Sequence, residues 1–232
     1  MIKEAFNRAG AKPEGPSGID FLDAVVSERP DLKKEDFRFP SQGQKGYVAI
    51  NGDEVFKAPR ALKGECRDDF ETECEVMQQL ADSGLPIPKI TTLGKNFLFF
   101  SMTRTPGETM GYDFESTMTE TEERQLAKDL IDFVVKMAHA LPMKNGKFAI
   151  HDDLWQSNIF IDPETKRLSG VIDFGKVKYI KASEWKPMYD FDGTNFKKML
   201  QVEYNARKGD LPGAGEEKPK FHVPNLKSLF GT

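Results

Sequence analysis

The stretch between residues 151 and 175 carries the side chains best suited to chemistry. It contains His-Asp-Asp-Leu-Trp-Gln-Ser-Asn at 151–158 and Asp-Phe-Gly at 173–175. Phosphoryl transfer needs oxygen ligands for a divalent cation and a carboxylate that orients the attacking hydroxyl and accepts its proton. Asp153, Asn158 and Asp173 supply these groups, and two apolar runs between them can pair as strands. The spacing therefore predicts a phosphoryl-transfer site.

These residues resemble two motifs of the protein-kinase-like superfamily, which includes protein kinases and aminoglycoside phosphotransferases. The resemblance implies that Asp153 is the catalytic base, that Asn158 and Asp173 hold magnesium, and that His151 braces the loop. It also implies ATP and Mg²⁺ as cofactors, with Mn²⁺ able to replace the magnesium. Asp152 stands where many protein kinases have an arginine that reads a phosphorylated activation segment, so control of that kind is not expected.

The amino-terminal half contains candidates for the nucleotide-binding parts of the same superfamily. Lys57 resembles the strand lysine that contacts the α- and β-phosphates, and Glu73 on the following helix resembles its carboxylate partner, so both join Asp153 as predicted catalytic residues. Gly43 and Gly46, followed by Val48, resemble a short glycine-rich loop. Missing side chains at such glycines let backbone N–H groups approach phosphate.

The predicted strand at 97–102 resembles the last strand before the kinase hinge. The resemblance implies that adenine rests near Phe100 and Met102. Taken in order, the glycine loop, lysine, glutamate, hinge strand and metal-binding motifs span about residues 40 to 205. This shared order supports the resemblance more than any single motif does.

The elements that must position these residues can be predicted from local patterns. Asn51-Gly52 between two short alternating runs indicates a β-hairpin, because both central residues of a type I′ turn need positive φ. Thr119 and Glu122 form a capping box at the start of a long helix. Hydrophobic periodicity and turn residues predict the other elements: helices at 19–26, 68–83, 119–141 and 193–206, and strands at 47–50, 54–57, 89–93, 97–102, 148–150, 159–161 and 170–172.

The fold class predicted from this resemblance is α+β, a bilobal protein-kinase-like fold with a small β-rich N-lobe and a reduced, mainly helical C-lobe. Residues 176–181 alternate charged and apolar side chains, which suits either a solvated edge strand or an activation segment that pairs with a protein partner. Four regions are predicted: an N-terminal extension at 1–38, the N-lobe at 39–103, a minimal C-lobe at 104–206 and a flexible tail at 207–232.

Composition narrows the classes of partner. With 33 Lys and Arg against 37 Asp and Glu, the net charge is −4, which argues against binding to nucleic acid. No apolar run is long enough to cross a membrane. The two cysteines, Cys66 and Cys74, suit reduced core thiols better than a disulfide framework. We expect a cytosolic monomer.

The phosphate acceptor is not determined by the motifs. The small number of residues after Asp173 resembles the minimal effector kinases that bacterial type III systems deliver into host cells. This favoured interpretation implies a Ser/Thr protein kinase acting on a host protein, with an Hsp90-type chaperone as one candidate. The alternatives are an aminoglycoside or other small-molecule kinase, which Asp152 and the run 85–88 favour, and a nucleotide-binding pseudokinase module.

Overall fold

A computed structural model describes residues 18–40, 46–95, 98–111, 117–185 and 194–214 of the 232-residue chain. Its helices are α1 (Gly18–Glu28), α2 (Glu65–Leu80), α3 (Glu120–Ala140) and α4 (Thr194–Arg207). Its strands are β1 (Gly46–Asn51), β2 (Glu54–Pro59), β3 (Ile90–Leu93), β4 (Phe100–Thr103), β5 (Glu108–Thr109), β6 (Phe148–His151), β7 (Ile159–Ile161), β8 (Leu168–Val171) and β9 (Val177–Ile180).

The first four strands form one antiparallel sheet in the order β1-β2-β4-β3. The predicted hairpin is confirmed, since β1 pairs with β2 around a turn in which Gly52 has a φ of 57°. Helix α2 lies against one face, where Phe70 packs on Phe100 with ring centroids 5.0 Å apart. The helix starts earlier than predicted, after Gly64 with a φ of 66°, and stops at Leu80.

Helix α1 covers the opposite face of this sheet. Its residues Phe21 and Val25 are buried in a second apolar cluster that includes Phe56 and Phe99. Successive side chains on a strand point to opposite faces, so β2 can serve both clusters at once. Residues 18–28, which belong to the predicted N-terminal extension, are therefore packed against the strand that carries Lys57.

We expect Phe21→Ala to lower the free energy of unfolding by about 3–5 kcal/mol, the usual cost of deleting a buried phenylalanine. The Phe21 side chain is 1% exposed, so its removal leaves a cavity between α1 and the sheet. Chemical denaturation of the variant and the wild type measures the difference. A loss below about 0.5 kcal/mol, the range of surface substitutions, would contradict this packing.

Helix α3 is the centre of the second part of the chain. The predicted capping box is present: the Thr119 N–H donates to the Glu122 carboxylate at 2.7 Å, and the Glu122 N–H donates back to the Thr119 hydroxyl at 3.4 Å. Helix α4 packs along α3, and an ion pair between Arg207 and Asp132 joins the two helices. Strand β6 lies against the same helix.

Two small sheets on this core position the motif residues. One has the order β5-β7-β8, and the other pairs β6 with β9. The extended segment predicted at 176–181 is confirmed as β9, and the strand that pairs with it is the chain's own β6. These pairings bring residues 151–158 next to residues 172–176.

The segment after α4 starts by packing on α3. Leu211 is 3% exposed, and the His139 ring lies 2.6 Å from the Asp210 carbonyl oxygen. The rest of the predicted tail, residues 215–232, lies outside the described residues, as do residues 1–17 of the predicted extension. None of the helices found in the described ranges is both long and apolar enough to span a bilayer.

Candidate active site

Lys57, Glu73 and Asp173 form a connected ion-pair cluster. The Lys57 ammonium donates to both carboxylate oxygens of Glu73, at 2.8 and 2.7 Å, and to Asp173 at 2.9 Å. Strand alternation turns Lys57 toward α2, while Glu73 lies on the buried face of that helix and is 2% exposed. The structure thus brings together the lysine and glutamate that the sequence predicted to pair, and adds Asp173.

Electrostatics keep Lys57 and Asp173 charged, while burial raises the pKa of Glu73 above its ordinary value. Burial alone would lower the pKa of Lys57, but the adjacent Glu73 and Asp173 carboxylates outweigh it and raise that pKa above its ordinary value. Burial would likewise raise the pKa of Asp173, yet the Lys57 ammonium outweighs it and lowers that pKa. Asp173 therefore stays a carboxylate at neutral pH, as a metal ligand must.

A network of hydrogen bonds holds the 151–158 loop in one conformation. The Asp153 N–H donates to Nδ1 of His151 at 3.2 Å, so the other ring nitrogen, Nε2, carries the proton that is donated to the Ile172 carbonyl at 3.0 Å. The Asn158 side-chain amide donates to the Asp153 carbonyl at 2.8 Å. His151 thus acts as the brace that the resemblance implied, joining the loop to the Asp-Phe-Gly segment.

The backbone of Asp173 separates the two side chains of the Asp-Phe pair. Asp173 has a φ of 68°, in the left-handed region that few residues other than glycine, Asn and Asp adopt. The adjacent Phe174 is fully buried, with its ring 4.9 Å from that of His151 and 6.5 Å from that of Phe133. Burying Phe174 under the loop leaves the Asp173 carboxylate facing Lys57.

These groups line a cavity of about 660 Å³. Eight of the ten predicted site residues are among its lining residues: Gly46, Val48, Lys57, Glu73, Met102, Asp153, Asn158 and Asp173. Gly43 lies outside the described residues. The cavity is large enough for a nucleotide-sized ligand.

Phe100 corrects the prediction for the nucleobase site. Its side chain is 0% exposed and packs against Phe70 of α2, so it is not part of the cavity lining. The physical reason is that the apolar face of α2 needs a large partner on β4. Of the two residues predicted to lie near adenine, Phe100 and Met102, only Met102 lines the cavity.

Several residues of the cavity were missed by sequence reasoning. Thr103, Arg104 and Thr105, which follow Met102 in the chain, are among the lining residues, as are Phe160 and Ile172. Strand alternation offered a signal for Phe160, because its neighbours Ile159 and Ile161 are buried and its own side chain must point the other way. Residues 103–105 carry no motif.

The oxygen donors suit a magnesium ion that is held together with nucleotide phosphates. Asp173 contributes a carboxylate, and Asn158 contributes its side-chain carbonyl because its NH₂ group is already used by Asp153. In the described part of the chain, no group of three or more His, Cys, Asp or Glu side chains could hold a metal by itself. Mg²⁺ commonly uses one or two protein ligands plus phosphate oxygens.

His151 should make stability depend on pH. Burial lowers the pKa of His151 below its ordinary value of 6.5. Below that pH the unfolded chain binds a proton that the folded protein does not bind, so the free energy of unfolding falls as pH falls. We expect a slope of up to about 1.4 kcal/mol per pH unit between roughly pH 5.5 and 6.5.

Denaturant titrations of the wild type and His151→Gln between pH 5.5 and 7.5 measure this slope. The variant should show a shallower slope because it lacks the titrating ring. Identical slopes in the two proteins would contradict a buried neutral imidazole.

Comparison with solved structures places this geometry in a known fold. A GDP complex of aminoglycoside 2'-phosphotransferase-IIIa matches with a TM-score of 0.68 and 16% identity over 82% of this chain and 83% of that one. ADP-bound aminoglycoside phosphotransferase APH(2'')-Ib matches with a TM-score of 0.64 and 18% identity, over 81% and 83%. APH(3'')-Id from Streptomyces rimosus, with ADP and streptomycin, matches with a TM-score of 0.56 and 13% identity, over 82% and 92%.

The chain has the protein-kinase-like fold. The fold class predicted from the sequence is thereby confirmed, with a sheet-rich first part and a mainly helical second part. A scan of protein-family models finds no match to this sequence, and a search among curated protein sequences finds none either. Within the kinase-like fold, the cluster of Lys57, Glu73 and Asp173 lies in the cavity that also contains Asp153 and Asn158.

Proposed function

We propose that this protein is an ATP-dependent phosphotransferase. The observation that carries the proposal is the ion-pair cluster of Lys57 with Glu73 and Asp173, in one cavity with Asp153 and Asn158. Structures of kinase-like proteins in complex with ADP or GDP share its fold, which supports nucleotide binding in this cavity. An ion-pair cluster that only stabilised the fold would not require a cavity beside it, or a carboxylate such as that of Asp173 exposed to that cavity.

Each residue has a role in the proposed reaction. Lys57, oriented by Glu73, binds the α- and β-phosphates. Asp153 accepts the proton of the acceptor hydroxyl while that oxygen attacks the γ-phosphorus. The bond from the γ-phosphorus to the bridging oxygen breaks, and ADP leaves with its electron pair. Asn158 and Asp173 would hold Mg²⁺, which when bound neutralises charge on the phosphates.

An aminoglycoside or another small hydroxyl compound is the acceptor that the fold comparison favours. The structures reported above belong to aminoglycoside phosphotransferases. The similarity covers 81–82% of this chain and 83–92% of each of those chains. Asp152, which is exposed beside Asp153, adds a negative charge that suits a cationic amino sugar. We therefore place this class first.

A protein hydroxyl is the second candidate, and one observation favours it. The Trp155 side chain is 47% exposed, two residues from the proposed base, where a large acceptor could bury it. This version of the proposal is a bacterial effector Ser/Thr kinase, delivered by a type III system to the host cytosol, with a host protein such as an Hsp90-type chaperone as its substrate.

Transfer of labelled γ-phosphate from Mg-ATP tests the function and separates the acceptors. The protein is incubated alone, with a eukaryotic lysate and with an aminoglycoside panel, each beside the Asp173→Asn variant. Label confined to aminoglycosides supports the first candidate, and label in discrete lysate proteins supports the second. Nucleotide binding without transfer to the protein itself or to any acceptor would instead support a pseudokinase module and contradict the enzyme.

A further inference from the structure

Lys176 is a cation in the cavity that the catalytic roles above do not use. It directly follows the Asp-Phe-Gly segment and lines the cavity together with Asp153, Ser157, Asn158 and Asp173. It is the first residue of the alternating segment 176–181 and belongs to none of the kinase-like motifs. Its position places a positive charge at the end of the cavity where the proposed transfer takes place.

The charge balance at that end calls for a further cation. Asp153 and Asp173 are both carboxylates, and residues 151–158 contain no lysine or arginine. His151 is buried, and burial lowers its pKa, so its ring is neutral near pH 7. Lys57 already bonds two carboxylates. Mg²⁺ held by Asn158 and Asp173 would offset part of the charge of a triphosphate. The γ-phosphate would still face the Asp153 carboxylate with no cationic side chain from the 151–158 loop beside it.

The backbone of Lys176 is fixed while its side chain is available. Its carbonyl oxygen accepts a hydrogen bond from the Asp152 N–H at 2.9 Å, which ties it to the loop of the proposed base. The residue is exposed, and no salt bridge to its ammonium is found within the described ranges.

We propose that Lys176 binds the γ-phosphate of the nucleoside triphosphate and stabilises the phosphoryl group during transfer. This inference rests on the proposed phosphotransferase function and adds a catalytic residue to it. The ammonium stays protonated throughout and donates hydrogen bonds to the γ-phosphate oxygens. It thereby stabilises the negative charge on these oxygens while the bond to ADP breaks. Lys57 and Lys176 thus bind different phosphates of one nucleotide.

The test compares ATP with ADP, because only ATP carries the γ-phosphate. We expect Lys176→Met to weaken Mg-ATP binding by about tenfold, the effect of losing one charged hydrogen bond, and to leave Mg-ADP binding within about twofold. Lys176→Arg should restore most of the ATP affinity because it keeps the charge. Titration calorimetry without any acceptor measures each affinity.

Lys178→Met is the matched control. Lys178 is an exposed lysine two residues along, on β9, and it is not among the lining residues of the cavity. Its variant loses the same charge and should bind both nucleotides as the wild type does. An equal loss of ATP affinity in the two variants would assign the effect to general surface charge and overturn the inference.

Two other results would also overturn it, and they separate this inference from the proposed function. In the first, the wild type binds both nucleotides, but Lys176→Met either keeps its ATP affinity or loses ATP and ADP affinity equally. That result contradicts the role of Lys176 and leaves the proposed function standing. A wild type that binds neither nucleotide contradicts the proposed function and this inference with it.

Discussion

Asp153→Asn is expected to lower the turnover number for phosphoryl transfer by roughly 10²- to 10⁴-fold, the range contributed by a general base. The amide cannot accept the proton of the acceptor hydroxyl, although it is nearly the same size as the carboxylate. Nucleotide affinity should stay close to that of the wild type, because Lys57 and Asp173 are unchanged. Single-turnover transfer and nucleotide titration together measure the two effects.

The structure explains why this variant should fold. The bonds that Asp153 makes in the loop use its backbone: its N–H donates to His151, and its carbonyl accepts from Asn158 and from the Trp155 N–H at 2.9 Å. A side-chain amide leaves all three in place. The loss of transfer can therefore be assigned to the missing carboxylate.

Asp152→Asn provides the control for that experiment. Asp152 is the adjacent carboxylate, is exposed, and is not among the residues that line the cavity. Its variant removes the same charge one residue away. At saturating acceptor, where the attraction of Asp152 for a cationic acceptor no longer matters, its turnover number should stay within a few-fold of that of the wild type. Equal losses in the two variants would contradict a specific role for Asp153 as the base.

Asp173→Asn is expected to reduce transfer by about 10³-fold or more, since several kcal/mol of charge stabilisation depend on the metal ligands. Unlike Asp153→Asn, it should also weaken nucleotide binding in the presence of Mg²⁺. The variant removes a proposed Mg²⁺ ligand and one of the two carboxylates that hold Lys57. Titration of nucleotide with and without Mg²⁺ provides a measurement that does not depend on transfer.

The choice of asparagine follows from the backbone at Asp173. Its φ of 68° is tolerated by Asn and Asp but costs other residues about 1–2 kcal/mol. Asp173→Ala should therefore unfold at a lower denaturant concentration than Asp173→Asn, while both lose transfer. If Mg²⁺ affects nucleotide binding equally in the wild type and in Asp173→Asn, Asp173 is not a metal ligand.

Both predictions depend on the connections between two segments of the chain. The His151 ring bonds the Ile172 carbonyl, the Ile172 N–H donates to the Asn158 carbonyl at 3.0 Å, and the Asp152 N–H donates to the Lys176 carbonyl. Three hydrogen bonds thus join the loop of the proposed base to the segment of the proposed metal ligand. Because the backbone and one buried ring make them, single substitutions of the acidic side chains leave this arrangement intact.

Local chemistry in the sequence was sufficient to predict most of the elements, whereas most of the site residues came from the resemblance to a known superfamily. The Asn51-Gly52 turn and the Thr119 capping box each act within a few residues, so their signals do not depend on the rest of the fold. The pairing of Lys57 with Glu73 was implied by the resemblance to the kinase-like superfamily, and the structure has it at 2.7 Å.

Only the tertiary structure decided which neighbouring residues reach the cavity. Phe100 and Met102 share a face of β4, but α2 covers Phe100 with Phe70 and leaves Met102 on the cavity wall. Lys176 acquires its position through the contact of its backbone with Asp152, far from it in sequence. Such outcomes depend on packing between distant segments, and periodicity along one segment carries no information about its partners.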